Sequence, residues 1–147
     1  MFSLCSSRSL QRTIRICDES GEHIYGHKTF MCKGKFHRVS GPAVILHGCY
    51  ETWFVAGVMH RINGPASTRY FRNGRVSEEE WYLNGRKHRL DGPAVTVYYE
   101  SGHVMSEYWY VDGKGHRPNG PVVQRYYANG EKKEETCCVN LYRYWKV

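Results

Sequence analysis

The chain is 147 residues long, the size of one small domain or of one short array of repeats. Hydrophobic residues make up 41% and aromatic residues 14%, which argues against a disordered protein, and no run approaches the roughly 18 apolar residues that a membrane span needs. The formal net charge is +7. A surplus of this size is compatible with binding phosphate, nucleic acid or an acidic membrane surface, but it identifies none of them.

The first fifteen residues are rich in Ser and Arg and contain no acidic residue. We interpret residues 1–15 as an N-terminal basic segment or arm; the alternative is a weak transit peptide. Basic side chains at this end are candidates for contact with the phosphates of lipid or nucleic acid. They are Arg8, Arg12, Arg15, Lys28, Lys33 and Lys35. The competing interpretation is a solvated face that keeps the protein soluble.

An internal repeat is the strongest signal in the sequence. Four segments share the pattern G-x-x-H-R-x-x-G-P, and they are Gly34–Pro42, Gly57–Pro65, Gly85–Pro93 and Gly113–Pro121. Their Gly-Pro steps lie 23, 28 and 28 residues apart. A nine-residue pattern that recurs at such regular intervals indicates an array of structural units.

The residues between these motifs predict one β-hairpin per unit. A partial unit comes first, with a turn at Ser20-Gly21 and Phe30 in the place that Trp takes later, and Gly48 marks the turn of a shortened unit. In the most regular unit, Pro93–Tyr99 and Val104–Val111 are β-prone and are joined through Ser101-Gly102. The segment Asp112–Gly120 is expected to be a structured loop.

Together these elements predict an all-β fold. We expect an elongated antiparallel meander of repeated hairpins, a single sheet of about eight to ten strands. It would cover residues 16–147, with degenerate first and last units.

Six cysteines are present without any C-x-x-C pair, so the common zinc and redox spacings are absent. No secretory signal precedes them, and we therefore expect free thiols in a reducing, intracellular compartment, the cytoplasm. We predict no metal site and no cofactor.

Charged residues recur in register with the repeat. Each motif contains a His-Arg pair, and a Glu stands two residues before the Trp position of each unit. These residues are His37, Arg38, His60, Arg61, His88, Arg89, His116 and Arg117, with Glu51, Glu79, Glu107 and Glu135. We expect a structural ladder of Arg–Glu pairs, because the planar guanidinium satisfies a carboxylate and nearby carbonyls together. For the His rings we expect packing on an aromatic ring or a hydrogen bond to a loop carbonyl. The alternative is a row of cations that binds phosphates.

Aromatic residues occur on both faces of the predicted strands, and an open sheet of this kind must curl or bury one face against a partner. The candidates for such an interaction surface are Tyr98, Tyr99, Tyr126, Tyr127, Tyr142, Tyr144 and Trp145. We therefore expect self-association, as a homodimer.

No nucleophile motif and no phosphate-binding glycine loop occurs. Carboxylates stand together at Glu78–Glu80 and Glu134-Glu135, but consecutive residues of a strand point to opposite faces, so we expect a solvated stretch there, no catalytic residue and no enzyme.

The segments Trp81-Tyr82-Leu83-Asn84-Gly85 and Trp109-Tyr110-Val111-Asp112-Gly113 resemble the MORN-type repeat family over about residues 16–147. The His-Arg-x-x-Gly-Pro insert departs from the usual family pattern and is similar to repeats of marseillevirus-like giant viruses. The resemblance implies hairpin units, a scaffold or self-associating module and, less securely, binding of acidic phospholipids. If the protein is viral, its location is the host cytoplasm or the virion.

The sequence thus predicts a non-catalytic scaffold that acts through self-association and an unknown protein partner. The alternative is an electrostatic adaptor that binds acidic phospholipid or nucleic acid through the basic N-terminal end.

Overall fold

The structure is a computed structural model that describes residues 8–18 and 21–137, with side chains from residue 27 onward. Strands, turns and loops account for this part of the chain. No described segment is a helix of the length and apolar character needed to cross a membrane.

The described residues form a succession of strands. In chain order they are β1 (Arg8–Asp18), β2 (Gly21–Cys32), β3 (Lys35–Phe36), β4 (Val44–Leu46), β5 (Tyr50–Thr52), β6 (Phe54–Val55), β7 (Val58–Met59), β8 (Ser67–Tyr70), β9 (Val76–Glu80), β10 (Tyr82–Leu83), β11 (Arg86–Lys87), β12 (Val95–Tyr98), β13 (Val104–Tyr108), β14 (Tyr110–Val111), β15 (Lys114–Gly115), β16 (Val123–Tyr126) and β17 (Lys132–Thr136).

Most of these strands belong to one large sheet. Its order is β1-β2-β4-β5-β8-β9-β12-β13-β16-β17, so the strands of this sheet follow one another in chain order, and β3 pairs with the end of β2. Three separate two-stranded hairpins, β6–β7, β10–β11 and β14–β15, lie between the long ones. The pairings in the sheet are antiparallel. The prediction of an all-β meander of repeated hairpins is confirmed.

The long hairpins turn where Gly was expected to permit it. In the β12–β13 hairpin, Tyr99 N–H donates to His103 O and Gly102 N–H donates to Tyr99 O, both at 2.8 Å. Gly102 has a φ of +96°, a conformation that favours glycine. The shortened first unit turns more tightly, with Cys49 N–H donating to Leu46 O at 2.9 Å.

The short hairpins differ from the prediction. Val104–Val111 was expected as one strand and Asp112–Gly120 as a loop, but the strand is interrupted at Trp109 and the chain then forms β14 and β15. Asp112 and Gly113 connect these strands with φ angles of +51° and +76°. Positive φ at both central residues is the geometry of a type I′ turn, which Asp-Gly and Asn-Gly favour.

The core is a thin row of small side chains, one from each unit. Ala43, Ala66 and Ala94 are fully buried, and Val122 takes the same place in the last unit. Each follows the Gly-Pro step, and its carbonyl accepts a hydrogen bond from the residue at the Trp position, as in Trp81 N–H to Ala94 O at 2.7 Å.

The N-terminal segment and one cysteine differ from the expectations drawn from the sequence. Residues 1–7 of the predicted basic arm lie outside the described residues, whereas Arg8–Asp18 form β1, so the boundary at residue 15 falls within a strand. Cys49 and Cys137 are free thiols. Cys32 is bonded in a disulfide, which contradicts the expectation of a free thiol at this position.

Candidate interaction surface

The arginine of each motif lies on the aromatic ring of its own unit. The guanidinium carbon of Arg89 is 4.1 Å from the centre of the Trp81 ring, and that of Arg117 is 3.8 Å from the centre of the Trp109 ring. Arg61 stacks on Trp53 in the same way, and Arg38 stacks on Phe30. A cation over an aromatic face is attracted by the negative charge of the ring face. The sequence therefore placed Phe30 correctly at the Trp position.

The other side of each guanidinium lies against the glycine of the Gly-Pro step. A methyl group built on Gly92 would come within 2.9 Å of the Arg89 guanidinium carbon, and one on Gly64 within 2.7 Å of that of Arg61. The Nη1 atom of Arg61 also donates to Pro65 O at 3.0 Å. The ring, the glycine and the proline carbonyl thus hold the arginine on three sides, and we call this arrangement the arginine clamp.

The predicted Arg–Glu pairing is replaced by other contacts. Arg89 Nε donates to Asp91 at 2.9 Å, whereas Glu107 Oε2 accepts a hydrogen bond from Tyr126 Oη at 2.9 Å. Among the residues that the structure describes, a hydrogen-bonded link between the motif arginines and these glutamates occurs in the last unit, and it is indirect. Gln124 accepts from Arg117 Nη1 at 3.0 Å and donates to Glu135 at 2.8 Å. The periodicity was correct, but the assignment of partners was wrong.

The glutamates lie on one continuous cross-strand row. Strand register places Thr68 between Glu51 and Glu79, and Thr96 between Glu79 and Glu107. The row continues to Gln124 and Glu135. Tyrosines of the following unit donate to it, as in Tyr98 Oη to Glu79 Oε2 at 2.9 Å. This row connects neighbouring units through Tyr–Glu pairs.

Burial and these carboxylates raise the pKa of the tyrosines. Burial and the hydrogen bond to Glu79 raise the pKa of Tyr98 to about 12. Tyr126 has the same causes, with Glu107 as its partner, and its pKa is also raised to about 12. The neutral phenol donates to the carboxylate, so ionisation of the phenol would place two negative charges side by side.

The histidines of the first three motifs connect each motif to the short hairpin of the next unit. Nδ1 of His37 accepts a hydrogen bond from Ala56 N–H at 3.0 Å, and Nδ1 of His60 accepts one from Asn84 N–H at 3.2 Å. Nδ1 of His88 lies 3.2 Å from Asp112 N and 3.1 Å from Asp112 Oδ1. Nδ1 of His37 and Nδ1 of His60 therefore accept from a backbone N–H group, and neither atom donates to a loop carbonyl as expected. The role of Nδ1 of His88 depends on its tautomer, because Asp112 presents both a backbone N–H donor and a carboxylate acceptor.

Of the four described tyrosines that were proposed as an interaction surface, three form side-chain hydrogen bonds within the array. Tyr98 and Tyr126 donate to glutamates, and Tyr99 Oη donates to Tyr126 O at 2.9 Å. Tyr127 is exposed, at 49% of its surface, and Lys133 lies 5.4 Å from its ring centre. The remaining candidates, Tyr142, Tyr144 and Trp145, lie outside the described residues.

An exposed row of apolar residues was missed by the sequence reasoning. The residue after each His-Arg pair is apolar in every unit and stands in the loop that leads to Gly-Pro. Val39, Ile62 and Leu90 are 76%, 74% and 80% exposed, and Pro118 is also exposed. We call these four residues the apolar loop row. The row could have been recognised in the sequence, because the residue directly after His-Arg is apolar in all four motifs although loop positions are normally polar.

The predicted basic residues are distributed along the first strands. By register Arg8 lies opposite Met31 and Arg15 opposite Ile24, near the two ends of the β1–β2 hairpin. Arg12 pairs with His27 and Lys28 with Gln11. Lys33 and Lys35 lie at and just after the tight turn into β3, and both are exposed.

No group of three or more His, Cys, Asp or Glu side chains suited to a metal ion occurs among the residues that the structure describes. The chain matches no protein-family model, and it has no significant match among curated proteins or among solved structures.

Proposed function

We propose that this protein is a non-catalytic repeat scaffold, of MORN-like architecture, that acts by self-association and by contact with another protein. One observation carries the proposal: the repeated polar residues contact one another within the array, whereas a repeated apolar residue is exposed to solvent. Arg89 and Trp81 form a clamp, and Glu79 accepts from Tyr98, but Leu90 is 80% exposed. Repeat arrays commonly use such periodic surfaces for binding.

Light scattering coupled to size-exclusion chromatography tests this proposal at low and high salt. An apolar contact is not screened by ions, so the mass of a self-associated species should be the same at both salt concentrations. A chain that is monomeric at every concentration and salt would contradict self-association.

The competing function, electrostatic binding of acidic lipid or nucleic acid, has the opposite salt dependence. Binding through the net charge of +7 should weaken steeply as salt increases. Strong low-salt binding to anionic vesicles or DNA by a monomeric chain would favour this adaptor over the scaffold.

A further inference from the structure

The apolar loop row is a regular, rigid feature. Successive loops are separated by two strands of the large sheet, which corresponds to about 9.6 Å per step and about 29 Å from Val39 to Pro118. Backbone hydrogen bonds fix the loops to the next short hairpin: Arg61 N–H donates to Tyr82 O at 3.2 Å, and Arg89 N–H donates to Tyr110 O at 3.0 Å. The row is therefore ordered before anything binds, and little conformational entropy is lost on association.

The residues beside the row are polar but not basic. Ser40, Asn63, Asp91 and Asn119 follow the four apolar residues, and all of them are exposed. The arginines that precede the row are held in the clamps. The residues that follow the row therefore carry one carboxylate and no cation, and the exposed cations of this edge, Lys35, Arg86 and Lys114, stand on the short strands β3, β11 and β15. An apolar centre with a polar rim is the anatomy of a protein–protein interface.

A second copy of the chain has the matching spacing. Four apolar side chains spaced two strands apart make the largest number of contacts with a partner whose apolar side chains have the same spacing. Another copy of this array has that spacing. A two-fold axis makes such a surface self-complementary.

The rim selects the direction of the two rows. With parallel rows, Asp91 would lie beside Asp91 of the second copy, and like charges at an interface are unfavourable. With antiparallel rows, Asp91 lies beside Asn63 of the second copy and can accept a hydrogen bond from its amide.

We propose that the apolar loop row is the surface through which two copies associate, edge to edge and antiparallel, so that Ile62 of each copy packs against Leu90 of the other. This inference rests on the self-association in the proposed function and assigns its surface. Four loops form a narrow strip, which belongs to the class of interfaces below about 1,200 Å² that dissociate readily. The dimer therefore dissociates on dilution.

Sedimentation velocity over a dilution series tests the surface with Ile62→Lys and Leu90→Lys. Both positions are largely exposed, so the melting temperature should not change, whereas dimerisation should weaken by about 100-fold or more. The matched control is Tyr127→Ser, which alters an exposed aromatic residue outside the row and should dimerise like the unmodified chain.

The direction is tested by mixing two single-cysteine additions, Ile62→Cys and Leu90→Cys. In the antiparallel dimer a disulfide should form in the mixture of the two chains. Each variant alone should not form it, because the same residue of the two copies is then displaced by about one step of 9.6 Å, beyond the reach of a disulfide. The unmodified chain controls for cross-linking through native Cys49 and Cys137.

The outcomes separate this inference from the proposed function. Dimers that persist in both lysine variants would overturn the assigned surface while self-association stands. Efficient cross-linking of Ile62→Cys with itself would overturn the antiparallel direction. A chain that is monomeric at every concentration would overturn both, and if it bound neutral vesicles through Ile62 and Leu90, the row would be a lipid-inserting edge.

Discussion

The arginine clamp explains three residue types of the repeat pattern at once. Arg89 needs the Trp81 ring on one side, the Pro93 carbonyl for its Nη1, and a glycine at position 92 that leaves room for the guanidinium. The glycine is therefore required by the side chain that lies against it.

The substitution Gly92→Ala tests the clamp without backbone strain, because the φ angle of Gly92 is not positive. The added methyl group would lie 2.9 Å from the Arg89 guanidinium carbon, and such crowding costs about 1–3 kcal/mol of unfolding free energy. Urea denaturation measures the loss.

A double-mutant cycle gives the control for this substitution. In the Arg89→Ala background the crowding partner is gone, so Gly92→Ala should cost much less than in the unmodified chain. Equal costs in the two backgrounds would show that the glycine serves some other purpose than room for Arg89.

At the scale of the element, the short hairpins differ in how well their turn residues fit. Ala56 has a φ of +52° and Asn84 one of +50°, so both occupy the left-handed region in the same kind of turn. Asn tolerates this region better than Ala because its short polar side chain bonds locally. The hairpin β6–β7 is thus the less favourable of the two.

Exchanging the two turn residues should move stability in opposite directions. We expect Ala56→Asn to raise the free energy of unfolding by about 0.5–1 kcal/mol and Asn84→Ala to lower it by a similar amount. The hydrogen bonds to His37 and His60 use backbone N–H groups and survive both changes. Thermal denaturation of the two variants measures the shifts, and a loss of stability in Ala56→Asn would contradict the turn assignment.

The Tyr–Glu pairs give neighbouring strands a dependence on alkaline pH. Because the pKa of Tyr98 is raised to about 12 in the folded chain, its contribution to stability is complete below the ordinary value of about 10 and is lost as the pH rises through the folded value. The melting temperature should therefore decrease as the pH is raised from about 10 to about 12. Tyr98→Phe should make that fall less steep.

Absorbance of tyrosinate gives an independent measurement of the same pairs. Glu79→Gln removes the negative charge beside Tyr98, so a late-ionising tyrosine should ionise at lower pH in this variant. Titration of every tyrosine near the ordinary value in the unmodified chain would contradict the raised pKa values.

At the scale of the whole molecule, each unit bonds to its immediate neighbours. Gly85 N–H donates to Met59 O at 2.9 Å, and Gly113 N–H donates to Lys87 O at 2.8 Å. On the other edge of the sheet, Arg75 Nη1 donates to Ser101 O at 2.8 Å. Stability in such an array is approximately a sum of unit and neighbour terms.

Damage to one clamp should therefore spread only a short distance. We expect Arg61→Ala to increase amide hydrogen exchange in residues 53–60 and 81–85 much more than in residues 121–130. Arg69→Ala is the control, because Arg69 is exposed and pairs with Glu78 on the surface. A uniform increase along the chain would indicate that the array opens as one unit.

The meander could be predicted from the sequence, because the glycine turns and the strand lengths recur in every repeat. The side-chain partners could not be predicted in the same way. The period places Arg89 and Glu107 at matching positions of their units, but it does not show whether each side chain contacts its own unit or the next one. Arg89 lies on Trp81, and Glu107 bonds to Tyr126 of the following unit. The short hairpins were missed although Asn84-Gly85 and Asp112-Gly113 carry the turn signal, because strands of two residues give no alternating pattern.

The contact of each unit with the next also determines how such a chain can lengthen. A tandem duplication of residues 65–92, one 28-residue period, would insert a unit whose arginine clamp, Tyr–Glu pair and turn contacts have partners on both sides. It would also add one apolar residue to the loop row at the existing interval. Growth by a whole unit therefore repeats the existing kinds of contact on both sides of the insertion, and the 23-residue spacing of the first unit shows that the long hairpin can be shortened while its strands stay in the sheet. An array of this kind can therefore lengthen by the duplication of whole repeat units.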